Sequence, residues 1–354
     1  MHRLLPIALA GALIVGVAAC GDTTPPAEEA SGKVTLTLLT HDSFVMSDDL
    51  KAEFTKETGI KLKLLQGGDA GAVVNQAILT KGNPQGDVLF GIDSTFLSRA
   101  LDEDLFESYV SPAAASTPTE LQLDPTNHVT SIDYGDVCLN YDKRWFADHH
   151  VAVPASLDDL TESQYKDLLV VEDPATSSPG LAFLLETIAQ YGTDGWQQYW
   201  TDLKANGVLA VDGWEQAYEQ EFSGASGSKG TRPIVVSYAS SPPAEVVYAD
   251  PKVDEPPTGV VDTTCYRQIE GAGVLAGTKH PKEAGKLIDF LLSKGFQESV
   301  PLSMFVFPVA PGTTLPDVFT KFAATPDHVY SLPADDIAAH RDQWINQWTD
   351  LVAR

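Results

Sequence analysis

Apolar positions change their period repeatedly between residues 34 and 101. Three short runs rich in Leu, Val, Ile and Thr alternate with three segments whose apolar residues recur every three or four positions, as Leu50 and Phe54 do. The predicted strands are 34–39, 60–65 and 87–92, and the predicted helices are 48–58, 70–80 and 94–101. Strands that alternate with helices in this way predict an α/β fold with a mostly parallel sheet covered on both faces.

The alternation continues to the end of the chain. Further strands are predicted at 128–132, 136–141, 168–172, 208–211, 234–238, 266–269 and 274–275, and further helices at 157–160, 180–191, 195–206, 281–293 and 335–353. We predict two α/β lobes, with the chain passing between them more than once. The first lobe is 34–132 with 266–312, and the second is 133–265 with 313–354. Ligands of such folds bind at strand carboxyl ends and in the crevice between lobes.

Length and charge narrow the class of protein. The 354 residues are enough chain for two lobes, and 49 acidic against 23 basic residues give a net charge of −26. A surface of this sign repels phosphate backbones, so we expect no nucleic-acid partner. It attracts a small cation weakly, although solubility alone accounts for most of such an excess.

The amino terminus has the pattern of an exported lipoprotein. His2 and Arg3 precede an almost wholly apolar segment, residues 4–19, which is shorter than the roughly 20 residues a spanning helix needs. Small residues before Cys20 resemble a bacterial lipobox. We predict a lipoprotein signal peptide at 1–20, lipidation of Cys20 and anchoring at the extracytoplasmic face of the cell membrane. An ordinary signal peptide with a coincidental cysteine is the alternative. Residues 21–33, rich in Pro, Gly and acid, predict a flexible tether.

Two other cysteines, Cys138 and Cys265, lie in strand-like runs. An exported compartment permits oxidation, so a disulfide between them is one interpretation. Two buried thiols are the other.

Six short segments occur in a family-specific order along the chain. They are THDSF at 40–44, GID at 91–93, DYG at 133–135, DPATSSPGL at 173–181, GWEQAY at 213–218 and SYASSP at 237–242. Over nearly the whole chain from residue 34, this series resembles the periplasmic thiamine-binding proteins of ABC importers, within the extracellular solute-binding proteins. The segments at 173–181 and 213–218 are the most specific to that family.

The resemblance implies a type II periplasmic-binding-protein-like fold, with the ligand in a cleft between two lobes. It implies a monomeric, non-catalytic protein that closes on thiamine, its monophosphate or its diphosphate and then docks on a membrane permease. The thiamine species is the transported ligand, and neither a cofactor nor a metal is expected.

Trp214 and Tyr238 match the family's ring-contacting positions, and Asp69 matches a carboxylate that faces the ligand. Each cation–π contact contributes about 0.5–2 kcal/mol in a desolvated cleft. The alternatives are core packing for the two aromatic residues, and capping of the helix at residue 70 for Asp69. Tyr218, four residues after Trp214, is expected to support that ring.

The same resemblance implies that hydroxyl groups contribute to the site. Ser177, Ser178 and Gly180 stand at a predicted helix start, where free N–H groups bind phosphate or are merely capped. Ser240 and Ser241 are further candidate donors. The chain has Ala175 where the family often has a basic residue, which weakens the expectation of tight diphosphate binding.

The remaining predicted contacts are His41 and Asp42, in the first of the six segments, and Phe305. His41 stands where relatives have Tyr, and a protonated imidazole there would repel a thiazolium cation. Phe305 stands where relatives have Trp, so stacking would be kept and the indole donor lost.

Other function classes stay open at this point. A ferric-ion or polyamine-binding lipoprotein of the same fold is the nearest alternative, although ferric sites of this fold usually have paired tyrosines and Tyr238 is followed by Ala239. A secreted hydrolase would need a nucleophile–base pair, and the sequence shows no recognisable one. A purely adhesive surface lipoprotein would need no aromatic cleft.

Overall fold

Periodicity in the sequence locates most helices and strands of the computed structural model, which describes residues 34–353. The strands are β1 Thr35–Thr40, β2 Lys61–Gln66, β3 Val88–Asp93, β4 Phe106–Glu107, β5 Thr130–Asp142, β6 Leu169–Glu172, β7 Leu209–Val211, β8 Ile234–Tyr238, β9 Thr258–Leu275 and β10 Phe307–Pro308. The helices are α1 Asp48–Thr58, α2 Ala70–Leu79, α3 Leu97–Asp102, α4 Lys143–His149, α5 Ser178–Tyr191, α6 Trp196–Ala205, α7 Pro242–Val247, α8 Pro281–Leu291, α9 Lys294–Ser303, α10 Asp317–Phe322 and α11 Ala334–Trp348.

Helix α1 shows why the boundaries follow the sequence. The Ser47 hydroxyl accepts a hydrogen bond from the backbone N–H of Leu50 at the start, and Gly59 ends the helix at φ 75°, a conformation that favours glycine. Leu50 and Phe54 are its buried residues. The short helices α4, α7, α9 and α10 lack such a period and are not predicted. In place of the predicted helix at 157–160 the structure has a 3-10 helix, Asp158–Thr161.

One sheet of ten strands organises the fold, in the order β2-β1-β3-β9-β5-β8-β6-β7, with β10 beside β5 and β4 beside β9. β1 is parallel to β2 and β3, and β6 is parallel to β7 and β8. β5 and β9 run antiparallel to each other and to their outer neighbours β8 and β3. The prediction of a mostly parallel sheet was therefore wrong, and the sheet is mixed.

Two long central strands replace four short predicted ones. β5 joins the predicted strands 128–132 and 136–141, and β9 joins 266–269 and 274–275 and begins as early as Thr258. The charged residues and glycines at 133–135 and 270–273 interrupt the apolar pattern, but the backbone pairing continues across them: Asp133 pairs with Glu270 and Gly135 with Gln268. The predicted lobe boundaries at 132/133 and 265/266 fall inside these two strands, and the division into lobes stays a prediction.

Buried apolar side chains form two large clusters. In one, α5, α6 and α11 pack together, and Trp200 meets Trp348 edge to face at 5.4 Å between ring centroids. In the other, the helices α1, α8 and α9 pack on the sheet, with Phe54 and Phe290 at 5.3 Å. Between residues 34 and 353, no helix is long and apolar enough to cross a membrane. The predicted signal peptide, Cys20 and the tether lie outside the described residues.

Cys138 on β5 and Cys265 on β9 are paired residues in the ladder, and the structure joins them by a disulfide with an S–S distance of 2.10 Å. Both cysteines are fully buried. The bond connects positions 127 residues apart, so it constrains a long loop of the unfolded chain.

We therefore expect the variant Cys138→Ala/Cys265→Ala to lose about 2–5 kcal/mol of unfolding free energy in urea titrations, because the unfolded chain is freed from this constraint. Wild-type protein unfolded in excess reductant should show a similar loss. Mass spectrometry of alkylated, unreduced protein should detect neither thiol, and finding both free would contradict the disulfide.

Candidate functional site

A cavity lies where several strands end, and it encloses about 690 Å³ of space with its opening to solvent included. His41 follows β1, Asp69 lies between β2 and α2, and Trp214 comes shortly after β7. Ligands of α/β sheets bind at such strand ends. The full lining is His41, Ser43, Asp69, Ala70, Ser178, Pro179, Trp214, Tyr218, Tyr238, Ser241, Ala244, Gln268, Glu270, Met304, Phe305 and Val306.

Trp214 is held on three sides. Its backbone N–H donates to Asp69 Oδ2 at 2.9 Å, and its indole Nε1 donates to Ser237 Oγ at 2.9 Å. Tyr218, in a π-helical turn at Gln216–Glu221, stacks on the indole with 4.9 Å between centroids and a 14° angle between planes. Tyr218 therefore supports Trp214, as its spacing indicated, and also lines the cavity.

Tyr238, the last residue of β8, lies on the neighbouring backbone of β5. A Cβ atom at Gly135 would be only 2.7 Å from the Tyr238 ring, so the close approach requires glycine there. The phenol donates to Gln268 Oε1 at 3.0 Å, and the backbone N–H donates to Ser241 Oγ at 3.2 Å. Ser241 also hydrogen-bonds Ser237, the partner of Trp214, at 2.9 Å. A chain of hydroxyls thus links the two aromatic residues.

Asp69 caps a helix and also lines the cavity. It is the N-cap of α2, accepting from the N–H of Ala70 at 2.6 Å, and it lines the cavity. Its Oδ1 also lies 3.4 Å from the N–H of Ser178, at the start of α5. Burial raises the pKa of Asp69, although the N–H of Trp214 and the Ser177 hydroxyl act in the opposite direction.

His41 and Glu270 form an ion pair at the cavity wall, with 3.4 Å between Nε2 and Oε1. Burial opposes the charged imidazolium, but Glu270, Asp69 and Asp42 together outweigh it and raise the pKa of His41. The imidazolium is thus favoured by surrounding carboxylates, and its charge is compensated within the site.

Three carboxyl groups lie side by side across the sheet. Glu270 on β9 pairs with Asp93 on β3 and with Asp133 on β5. Burial, followed by the charge of Glu270 and a hydrogen bond to it, raises the pKa of Asp133 well above its usual range. Burial also raises the pKa of Asp93 to about 6, despite hydrogen bonds from Thr95 and Phe96. Glu270 is the member of this row that lines the cavity, and it lies beside two buried carboxyl groups whose raised pKa favours the neutral acid.

Seven of the predicted contact residues line this cavity: His41, Asp69, Ser178, Trp214, Tyr238, Ser241 and Phe305. Asp42 lines an adjoining outer cavity of about 1200 Å³, which shares Trp214 and Phe305 with the inner one.

Three other predicted residues do not line either cavity. Ser177 caps α5 through the N–H of Gly180, at 3.3 Å. Gly180 packs on β6, where a Cβ atom would lie 2.6 Å from the Glu172 carbonyl oxygen. Ser240 is fully buried.

Sequence reasoning missed Gln268 and Glu270. Gln268 lies within a predicted strand and Glu270 directly after it, and the polar residues themselves were the available signal. Only the pairing of β9 with β5 and β3 places them at the cavity. Within the described residues, no group of three or more His, Cys, Asp or Glu side chains is arranged to hold a metal ion.

Comparison with known proteins assigns the family. A model described as bacterial extracellular solute-binding protein matches residues 83–323. A thiamine-binding periplasmic protein of Escherichia coli (strain K12) is 31% identical over 327 residues, covering 91% of this chain and 94% of that protein. The chain belongs to the bacterial extracellular solute-binding proteins.

Solved structures agree with the fold of this solute-binding protein. A periplasmic thiamin binding protein superposes with a TM-score of 0.77 at 28% identity, covering 91% of this chain and 97% of that one. Iron-bound HitA from Pseudomonas aeruginosa gives a TM-score of 0.69 at 20% identity, covering 90% and 99%. The second match concerns the fold alone. The predicted periplasmic-binding-protein-like fold is thus confirmed.

The raised pKa of Asp93 makes the stability of this solute-binding protein depend on pH. The folded state keeps a proton on Asp93 up to about pH 6, whereas the ordinary value is 3.8, so stability falls as pH rises between these values. The substitution Asp93→Asn keeps an oxygen acceptor for Thr95 and Phe96. We expect its unfolding free energy, relative to that of wild type, to increase by up to about 3 kcal/mol as pH rises from 4 to 7. Urea unfolding of both proteins at pH 4.5 and 7.5 measures the difference. Parallel pH profiles would contradict the role of Asp93.

Proposed function

We propose that the protein is the extracytoplasmic binding component of an ABC importer and that its ligand is thiamine or a thiamine phosphate. The observation that carries the proposal is the convergence of Trp214, Tyr238 and Asp69 on one cavity, at the positions where the family is expected to contact its ligand. Relatives that cover more than nine-tenths of the chain are named thiamine-binding periplasmic proteins.

The chemistry of the cavity suits such a ligand. Thiamine has a permanently charged thiazolium ring and a flat aminopyrimidine, so its site needs aromatic faces and a nearby negative charge. The indole face of Trp214 that Tyr218 does not cover can stack on a flat cation, which contributes about 0.5–2 kcal/mol. Glu270 and Asp69 supply carboxylates, and Gln268 and Ser241 supply polar groups for the pyrimidine.

The nearest alternative, a ferric-ion or polyamine binder of the same fold, has less support. The similarity to iron-bound HitA is one of fold. Of the tyrosines that line the cavity, Tyr218 donates its hydroxyl to Glu245 at 2.9 Å and Tyr238 donates to Gln268, so both phenols are engaged within the protein. A polyamine would find carboxylates here but would leave the stacked aromatic faces unused.

Calorimetric titration tests the proposal directly. Native protein is titrated with thiamine, thiamine monophosphate, thiamine diphosphate, ferric citrate and putrescine. We expect saturable binding of at least one thiamine species with a stoichiometry of one, since the protein is proposed to act as a monomer with a single cleft. Heat from ferric citrate or putrescine alone would replace the proposal by the corresponding alternative.

Trp214→Ala should weaken thiamine binding at least tenfold, about 1.4 kcal/mol, because it removes the stacking face. Trp145→Ala is the matched control, since Trp145 is also partly exposed but stacks on His149 outside the cavity. The control should keep wild-type affinity. Unchanged affinity in Trp214→Ala would assign that residue to core packing.

The membrane anchor belongs to the same proposal. We expect Cys20 to be lipidated after removal of residues 1–19, which would hold the protein beside its permease. Expressed in a bacterial host, wild-type protein should fractionate with membranes and incorporate labelled fatty acid, whereas Cys20→Ala should do neither. A wild-type chain released to the soluble fraction with an unmodified Cys20 would overturn the anchor and leave the ligand proposal standing.

A further inference from the structure

The start of α5 has the form of an anion site, but its donors are already in use. Backbone N–H groups at a helix start commonly bind phosphate. Here the N–H of Ser178 faces Asp69 Oδ1 at 3.4 Å, Pro179 has no N–H, and the N–H of Gly180 donates to Ser177 Oγ. The N–H of Leu181 donates to the Ser177 carbonyl oxygen at 3.0 Å.

The backbone N–H groups of the loop before α5 also have hydrogen-bond partners. The N–H of Ala175 donates to Asp173 Oδ1 at 2.8 Å, and the N–H groups of Thr176 and Ser177 donate to the Asp173 carbonyl oxygen at 3.1 and 2.9 Å. Each backbone N–H from Ala175 to Leu181 therefore has a partner inside the protein, and a phosphate would have to displace one.

Asp69 occupies the place that a phosphate would take. Its carboxylate bridges three segments, accepting from the N–H groups of Ala70, Ser178 and Trp214. Glycine at position 213 permits the close approach of Asp69 to this backbone, because a Cβ atom on Gly213 would lie 3.1 Å from Asp69 Cβ. Asp69 thus supplies a carboxylate from within the protein at the N-terminal end of α5.

The approach to the cavity is acidic as well. The outer cavity is lined by Asp42, Glu215, Glu219 and Glu245, and it shares Trp214, Tyr218 and Phe305 with the inner cavity. Among the described residues, neither cavity has a Lys or Arg in its lining. His41 is the one side chain of the inner lining that can become cationic, and Glu270 lies 3.4 Å from it.

We propose that this site selects the unphosphorylated organic cation and rejects its phosphate esters, with Asp69 filling the anion position and Asp42, Glu215 and Glu219 repelling a phosphate at the mouth. This inference rests on the proposed function and specifies its ligand. Hydroxyls of Ser43, Ser178 and Ser241 in the inner lining are neutral and suit a free alcohol. A diphosphate brings two or more negative charges toward several carboxylates, and repulsion between like charges is strong in a partly desolvated cleft.

The test compares thiamine, its monophosphate and its diphosphate by calorimetry at low ionic strength. We expect thiamine to bind at least tenfold more tightly than the diphosphate, with the monophosphate between them. The ratio should shrink in 0.5 M salt, because exposed carboxylates are screened. Equal or tighter binding of the diphosphate would overturn the inference while supporting the proposed function. The absence of binding by any of the three would overturn both.

A charge variant separates the mouth from the aromatic contacts. Glu215→Gln/Glu219→Gln should improve diphosphate binding at least fivefold and leave thiamine affinity within about threefold, since both side chains lie at the surface of the outer cavity. Glu53→Gln/Glu57→Gln on α1 makes the same change in net charge away from both cavities and should alter neither affinity. Equal effects of the two double variants would show that total charge, not the cavity mouth, determines selectivity.

Discussion

Pairing between β5 and β9 is the interaction on which the rest of the structure depends. The ladder runs from Thr130 opposite Ala272 to Asp142 opposite Thr258, and the Cys138–Cys265 disulfide lies within it. The other edge of β9 pairs with β3, beyond which lie β1 and β2. The other edge of β5 pairs with β8, beyond which lie β6 and β7. Two groups of mutually parallel strands are thereby fixed relative to one another. Their strand ends supply the opposing walls of the cavity, so the register of one antiparallel pair sets its geometry.

Burial of carboxyl groups gives the cavity its electrostatic character. Asp93, Asp133 and Glu270 stand on adjacent strands, and His41 is the cationic neighbour of Glu270. Burying ionised groups without partners is costly, and raised pKa values at Asp93 and Asp133 reduce that cost by favouring the neutral acids. Under the proposed function, an organic cation in the cavity would lie near the carboxylates of Glu270 and Asp69.

Asp69 connects the architecture to the proposed selectivity. A helix start at a strand end is a common place for an anion, yet here the carboxylate of Asp69 takes the N–H of Ser178 and also fixes the backbone of Trp214. One side chain therefore both engages a helix start and orients an aromatic wall of the cavity.

From the sequence alone came the local elements and, through a family resemblance, the candidate aromatic residues that line the cavity. The period of apolar residues located α1, α2 and most strands, and short family-specific segments pointed to Trp214 and Tyr238. Only the tertiary structure decided that the sheet is mixed, that Glu270 joins the site, and that Ser177 and Gly180 serve α5 instead. The physical reason is that periodicity reports which face of an element is buried, whereas strand pairing between residues more than a hundred positions apart decides which polar groups meet.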